Sequence, residues 1–92
     1  MLTLEISKSF KKSLKKYKNN KKVLQELNIV IELLLNDEVL PEKYKDHVLT
    51  GNLKNIRECH VKPDALLLYF VVDELGVLRL YDFGSHADIL GN

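Results

Sequence analysis

The side chains in this chain that could carry acid–base chemistry crowd into one region. Asp46–Tyr69, reading DHVLTGNLKNIRECHVKPDALLLY, holds His47, His60 and a carboxylate directly after a proline, Pro63–Asp64. The third histidine, His86, follows the next strand-like segment. Imidazole titrates close to neutral pH, so a group of histidines can both take and give protons under one set of conditions. Cutting RNA through its own 2′-hydroxyl asks for that combination. A base takes the 2′ proton, an acid protonates the departing 5′-oxygen, and positive charge supports the phosphate. The candidates are His47, His60 and His86, with Asp64 to orient an imidazole or accept the 2′-hydroxyl hydrogen. Each signal alone has a plainer explanation: a lone histidine is often structural or merely solvated, and Asp after Pro is a good turn residue.

Two rival chemistries fit less well. Three histidines and an aspartate could hold zinc, but Cys59 and His60 are adjacent on a strand and point to opposite faces, and the chain has no CxxC or HxxxH spacing. No metal or cofactor is expected on that ground. A serine or cysteine nucleophile lacks its usual setting, since there is no nucleophile elbow and nothing local to activate Cys59.

The elements around these residues follow from pattern. Leu2, Leu4 and Ile6 alternate with Thr3 and Glu5 and predict a short strand. Ser7 stands as an N-cap before a lysine-rich helix with Phe10, Leu14 and Tyr17 on its inner stripe. Asn19–Asn20 marks a turn into a second helix, about Lys21 to Leu35, whose Val23, Leu24, Leu27, Val30, Ile31, Leu34 and Leu35 form a broad apolar stripe expected to face inward. A loop from Asn36 to Asn52, punctuated by Pro41 and Gly51, carries Asp46–His47. Lys54 to Lys62 reads as a strand of mixed polarity, Ala65 to Val72 as a buried strand and Val77 to Phe83 as the last, with Asp73–Gly76 as the turn between them. A short amphipathic tail runs through Leu90. The order is β-α-α-β-β-β, an α+β fold with a two-helix hairpin on one side of a small antiparallel sheet.

Ninety-two residues that are 46% hydrophobic and 29% charged predict a single folded domain, 1–92, rather than a disordered chain. The net charge of +1 hides an asymmetry. Lysines 8, 11, 12, 15, 16, 18, 21 and 22 fall between Ser7 and Lys22 with no acid among them, leaving 6 basic residues against all 13 acidic ones elsewhere. Such polarity suits an anionic partner such as nucleic acid, and equally a solvated helix face. The single cysteine, an N-terminus without signal-peptide character, and a longest apolar run of eight residues (Ala65 to Val72) predict a cytoplasmic protein without a membrane span.

YKDHVLTGNLKNIRECHVKPDALLLY followed by LRLYDFGSH resembles the YafQ branch of the RelE/ParE toxin superfamily, and the likeness runs over nearly the whole chain. The resemblance implies a RelE-like fold and the toxin of a type II toxin–antitoxin pair. It further implies a ribosome-dependent endoribonuclease that cuts mRNA in the A site without a metal, silenced by a cognate antitoxin in a hetero-oligomer. By position it makes His86 the general acid and leaves base and orienting work shared, without assignment, among His47, His60 and Asp64. It also keeps Arg57 basic. Lys8, Lys11, Lys12, Lys15 and Lys16 would contact ribosomal RNA phosphates, with Arg57 or Arg79 near the scissile one.

Three positions depart from that pattern. Ala65 and Leu90 stand where the family has aromatic residues, and Asp82 stands where it has an arginine. Loss of that arginine removes the expected phosphate clamp, which Arg57, Arg79 or a lysine would have to replace. The alternative reading is therefore a toxin-fold protein that binds antitoxin or ribosome and blocks translation without cutting. Gyrase inhibition, as in the ParE branch, fits this histidine set poorly.

Overall fold

The computed structural model describes residues 1–49 and 55–91. The expected glycine break at Gly51 and the strand start at Lys54 lie outside the described residues. Strand β1 (Thr3–Ile6) leads into helix α1 (Lys8–Leu14), one 3-10 turn (Lys15–Tyr17) and helix α2 (Lys21–Leu35). After a second 3-10 turn (Glu42–Tyr44) come β2 (His47–Val48), β3 (Arg57–Lys62), β4 (Ala65–Val72), β5 (Val77–Gly84) and helix α3 (His86–Leu90).

The strands form one sheet in the order β1-β5-β4-β3-β2. Pairs β2–β3, β3–β4 and β4–β5 are antiparallel, whereas β1 runs parallel to β5, with Leu4 opposite Leu78 and Ile6 opposite Leu80. The expectation of a purely antiparallel sheet is corrected at this one edge. Two helices between β1 and the rest return the chain to the same end, which permits a parallel neighbour.

Capping explains where the helices start. Ser7 Oγ accepts from Phe10 N at 2.9 Å and donates to the Tyr81 carbonyl at 2.6 Å, so the cap also ties α1 to β5. Asn20 Oδ1 accepts from Val23 N at 3.2 Å and opens α2. Val23, Leu27, Val30 and Leu34 recur at helical spacing and are buried. They join Phe10, Leu67, Leu78, Leu80 and Phe83 in the core between helices and sheet.

Two irregularities shape the strand ends. The β3–β4 register shifts between His60 and Lys62, just before the Pro63–Asp64 turn. The β4–β5 register shifts so that Leu68 faces Asp82 and Tyr69 faces Leu80, leaving Tyr81 as the extra residue. Lys45, which ends the second 3-10 turn, has φ 50, in the left-handed region.

Candidate active site

Three separate elements bring the histidines together. His47 on β2 lies directly opposite Glu58 on β3. His60 is two residues further along β3 and so on the same face as Glu58. His86 is the first residue of α3, just past the end of β5. The ring centroids of His47 and His60 are 6.4 Å apart, and those of His60 and His86 are 5.6 Å apart. The imidazoles form a row with His60 in the middle.

The turn after β3 fixes the orientation of His86. Asp64 Oδ1 accepts the His86 backbone N–H at 2.9 Å and the ring Nδ1–H at 2.7 Å. A helix start leaves its first amides without partners, so one carboxylate oxygen aligns both the helix and the ring. A carboxylate can only accept, which makes Nδ1 the protonated nitrogen and leaves Nε2 for a substrate. The His86 amide, and then its ring, hold the Asp64 carboxyl below the usual carboxylate range. Ser85 and Asp88 close a reciprocal capping box around the same helix start.

The other two imidazoles are held differently. His47 Nδ1 donates to the Lys45 carbonyl at 2.7 Å, and its Nε2 faces Glu58 Oε1 at 3.4 Å. Glu58 is buried, and the contact is an ion pair when His47 is protonated. His60 Nδ1 is buried and has no hydrogen-bond partner among the described residues. Its Nε2 is then the nitrogen left to meet a ligand.

A cleft of about 470 Å³ opens beside this row, lined by His60 and His86 together with Glu26, Lys43, Tyr44, Lys45 and Lys62. Glu26 accepts from the Tyr44 hydroxyl and lies 3.8 Å from Lys43 Nζ and 4.0 Å from Lys62 Nζ. The hydrogen bond from Tyr44, and then the two lysines, keep the Glu26 carboxyl below its ordinary value. Burial, and then Glu26, push the Tyr44 phenol up to about 12.

Neither expected arginine lines this cleft. Arg57 donates to Asp46 through Nη2 at 2.8 Å and through Nε at 3.2 Å, and the Tyr69 hydroxyl donates to the other Asp46 oxygen at 2.5 Å. Arg79 is paired with Glu5 at 2.8 Å, across the β1–β5 ladder. Asp82 is also absent from the cleft lining. It accepts from Ser13 Oγ on α1 at 3.1 Å and from the Phe83 amide at 2.8 Å, so its charge is satisfied against α1. Lys8, Lys11, Lys12, Lys15 and Lys16 are exposed on α1 and the turn after it, with Lys16 Nζ 4.0 Å from Asp88.

Cys59 is buried, and desolvation pushes its thiol up to about 12, which leaves it inert as a nucleophile. Among the described residues no three His, Cys, Asp or Glu side chains are grouped so as to hold a metal ion. Among them too, no helix is long and apolar enough to cross a membrane. Sequence reasoning missed Glu58 as a partner of His47, although alternation on β3 already put it beside His60. The Glu26–Tyr44 end of the cleft left no local signal, because it joins α2 to a distant loop.

Known proteins share this architecture. The family described as a bacterial toxin of type II toxin–antitoxin systems, YafQ, matches residues 2–91. The mRNA interferase toxin YafQ of Escherichia coli K12 is 37% identical over 89 residues, covering 96% of this chain and 95% of that protein. A metal-bound toxin from Helicobacter pylori superposes with a TM-score of 0.88 at 45% identity, over 97% of this chain and 99% of that one. YafQ in the E. coli DinJ–YafQ complex superposes with a TM-score of 0.87 at 35% identity, over 99% and 100%. This chain belongs to the YafQ family of type II toxin–antitoxin toxins.

Proposed function

We propose that this protein is the toxin of a type II toxin–antitoxin pair and cleaves mRNA in the ribosomal A site by general acid–base catalysis. The observation that carries the reading is the Asp64–His86 pair lying against His60, with the two ring centroids 5.6 Å apart. One imidazole is tied at Nδ1 to a carboxylate, and its neighbour presents its free edge beside it. That is the arrangement a proton-in, proton-out displacement needs.

His60 takes the 2′ proton at Nε2, and the 2′-oxygen bonds to phosphorus. The bond to the 5′-oxygen breaks, and His86 as imidazolium gives its Nε2 proton to that oxygen. The products are a 2′,3′-cyclic phosphate and a 5′-hydroxyl end. Asp64 is the positioning residue for His86, and the His47–Glu58 pair sets the other end of the row. The exposed α1 lysines anchor ribosomal RNA by charge, a contact that weakens steeply with salt. A cognate antitoxin is the expected partner, as DinJ is for the E. coli relative.

His86→Gln is the test. Expression of the wild type arrests growth and produces new 5′ ends on translated messages, read by primer extension. The variant loses about 10²–10⁴ in cleavage rate, the usual contribution of a positioned acid. Growth arrest by the wild type without new 5′ ends overturns the nuclease reading and leaves a toxin that blocks translation by binding alone.

A further inference from the structure

Charge near the scissile phosphate has to come from somewhere, and the two arginines do not line the cleft. Arg57 is held by Asp46, Arg79 is held by Glu5, and Asp82 points its carboxylate to α1. The cations that do line the cleft with His60 and His86 are Lys43, Lys45 and Lys62. They converge from two parts of the chain, Lys43 and Lys45 from the turn before β2 and Lys62 from the end of β3.

We propose that Lys43, Lys45 and Lys62 form the phosphate-holding site of this protein, seating the RNA backbone beside the imidazole row in place of a strand arginine. The proposal rests on the nuclease reading for its purpose, and on the cleft alone for its binding. Glu26 is the positioning residue. Its two oxygens lie 3.8 Å from Lys43 Nζ and 4.0 Å from Lys62 Nζ, while the buried Tyr44 hydroxyl pins the carboxylate from behind. Glu26 pairs with two of the three lysines that line the cleft, and the four side chains together carry a net charge of +2, suited to phosphate oxygens. Both paired lysines stay well exposed, at 68% and 42% of the side chain, so a ligand can recruit them without unfolding anything. Lys45 is fixed by its backbone, whose carbonyl accepts from His47.

The test separates binding from cutting. In a His86→Gln background, affinity for a mixed-sequence single-stranded RNA oligonucleotide is measured from low to moderate salt, with and without Lys43→Gln, Lys45→Gln and Lys62→Gln together. Each lysine withdrawn from a phosphate lowers the slope of log K against log salt by about 0.7. The triple variant is expected to lose about 0.7 to 2 in slope, and the corresponding Lys→Arg triple to keep it. In the His86-intact protein the Gln triple lowers cleavage by about 10²-fold, as when one charge-stabilising donor is removed. An unchanged slope in the Gln triple, or a slope lost only when Lys8, Lys11 and Lys12 are replaced, overturns the proposal. A wild type that does not cut RNA, combined with a lowered slope in the triple, sinks the nuclease reading and leaves the phosphate site standing.

Discussion

Tyr69→Phe asks whether the Asp46 cluster is a clamp for the His47 loop or part of the chemistry. The Tyr69 side chain is 2% exposed, and its hydroxyl donates to Asp46 Oδ1 at 2.5 Å while Arg57 grips Oδ2 at 2.8 Å. Removing one oxygen leaves the ring packed, so the loss is a single hydrogen bond to a charged group, worth about 1.5–3 kcal/mol. Arg57 keeps the carboxylate partnered, which places the loss toward the lower end, about 1.5 kcal/mol. For a domain of this length that lowers Tm by about 6–12 °C. Burial, and then Asp46, push the Tyr69 hydroxyl upward, so it remains a donor throughout the neutral and mildly alkaline range. Urea unfolding at pH 7, followed by far-UV circular dichroism, reads the difference as a lower midpoint at constant slope. Cleavage by the folded variant should fall less than about tenfold, because Tyr69 does not line the histidine cleft. An unchanged midpoint with lost cleavage would refute the clamp and move Asp46 and Arg57 into the reacting centre.

Two further predictions concern the seat of His86. Asp64 is held below its unfolded value by the His86 amide, so its stabilising effect is complete above the unfolded carboxylate pKa and is lost as pH falls through the folded one. Wild-type Tm should therefore drop below about pH 4 more steeply than that of Asp64→Asn, and identical profiles would break the link between Asp64 and His86. Gly84→Ala puts a Cβ 3.0 Å from Asp88 Cβ and 3.2 Å from its Oδ2, inside the capping box. Stability should fall by about 0.5–2 kcal/mol, and if His86 is the acid as proposed, its displacement costs cleavage about 10²-fold; equal activity at reduced stability would contradict that proposed role.

Local pattern was enough for most of the fold. Ser7, Asn20 and the Val23–Leu34 stripe announce both helices because caps and helical spacing act over a few residues. The three histidines and Asp64 were legible as a chemical set, and the structure brings them to one end of the sheet. What escaped depends on register. A regular β5 would put Leu78, Leu80 and Asp82 on one face, yet the extra residue at Tyr81 resets the phase, burying Phe83 with Leu78 and Leu80. The parallel pairing of β1 with β5 is set by packing across 74 residues of sequence separation, as in the Glu5–Arg79 bond. Lys43 and Lys62 look ordinary in sequence because the carboxylate that gathers them, Glu26, belongs to a helix chosen for its opposite, apolar face.

Lys45 occupies a backbone geometry in which any side chain is crowded and glycine sits at ease. The same residue gives its carbonyl to the His47 ring and lines the cleft. One residue thus serves two masters. Lys45→Gly would ease the backbone while removing one of the three charges proposed to hold phosphate, so stability and the proposed binding make opposite demands on this one position.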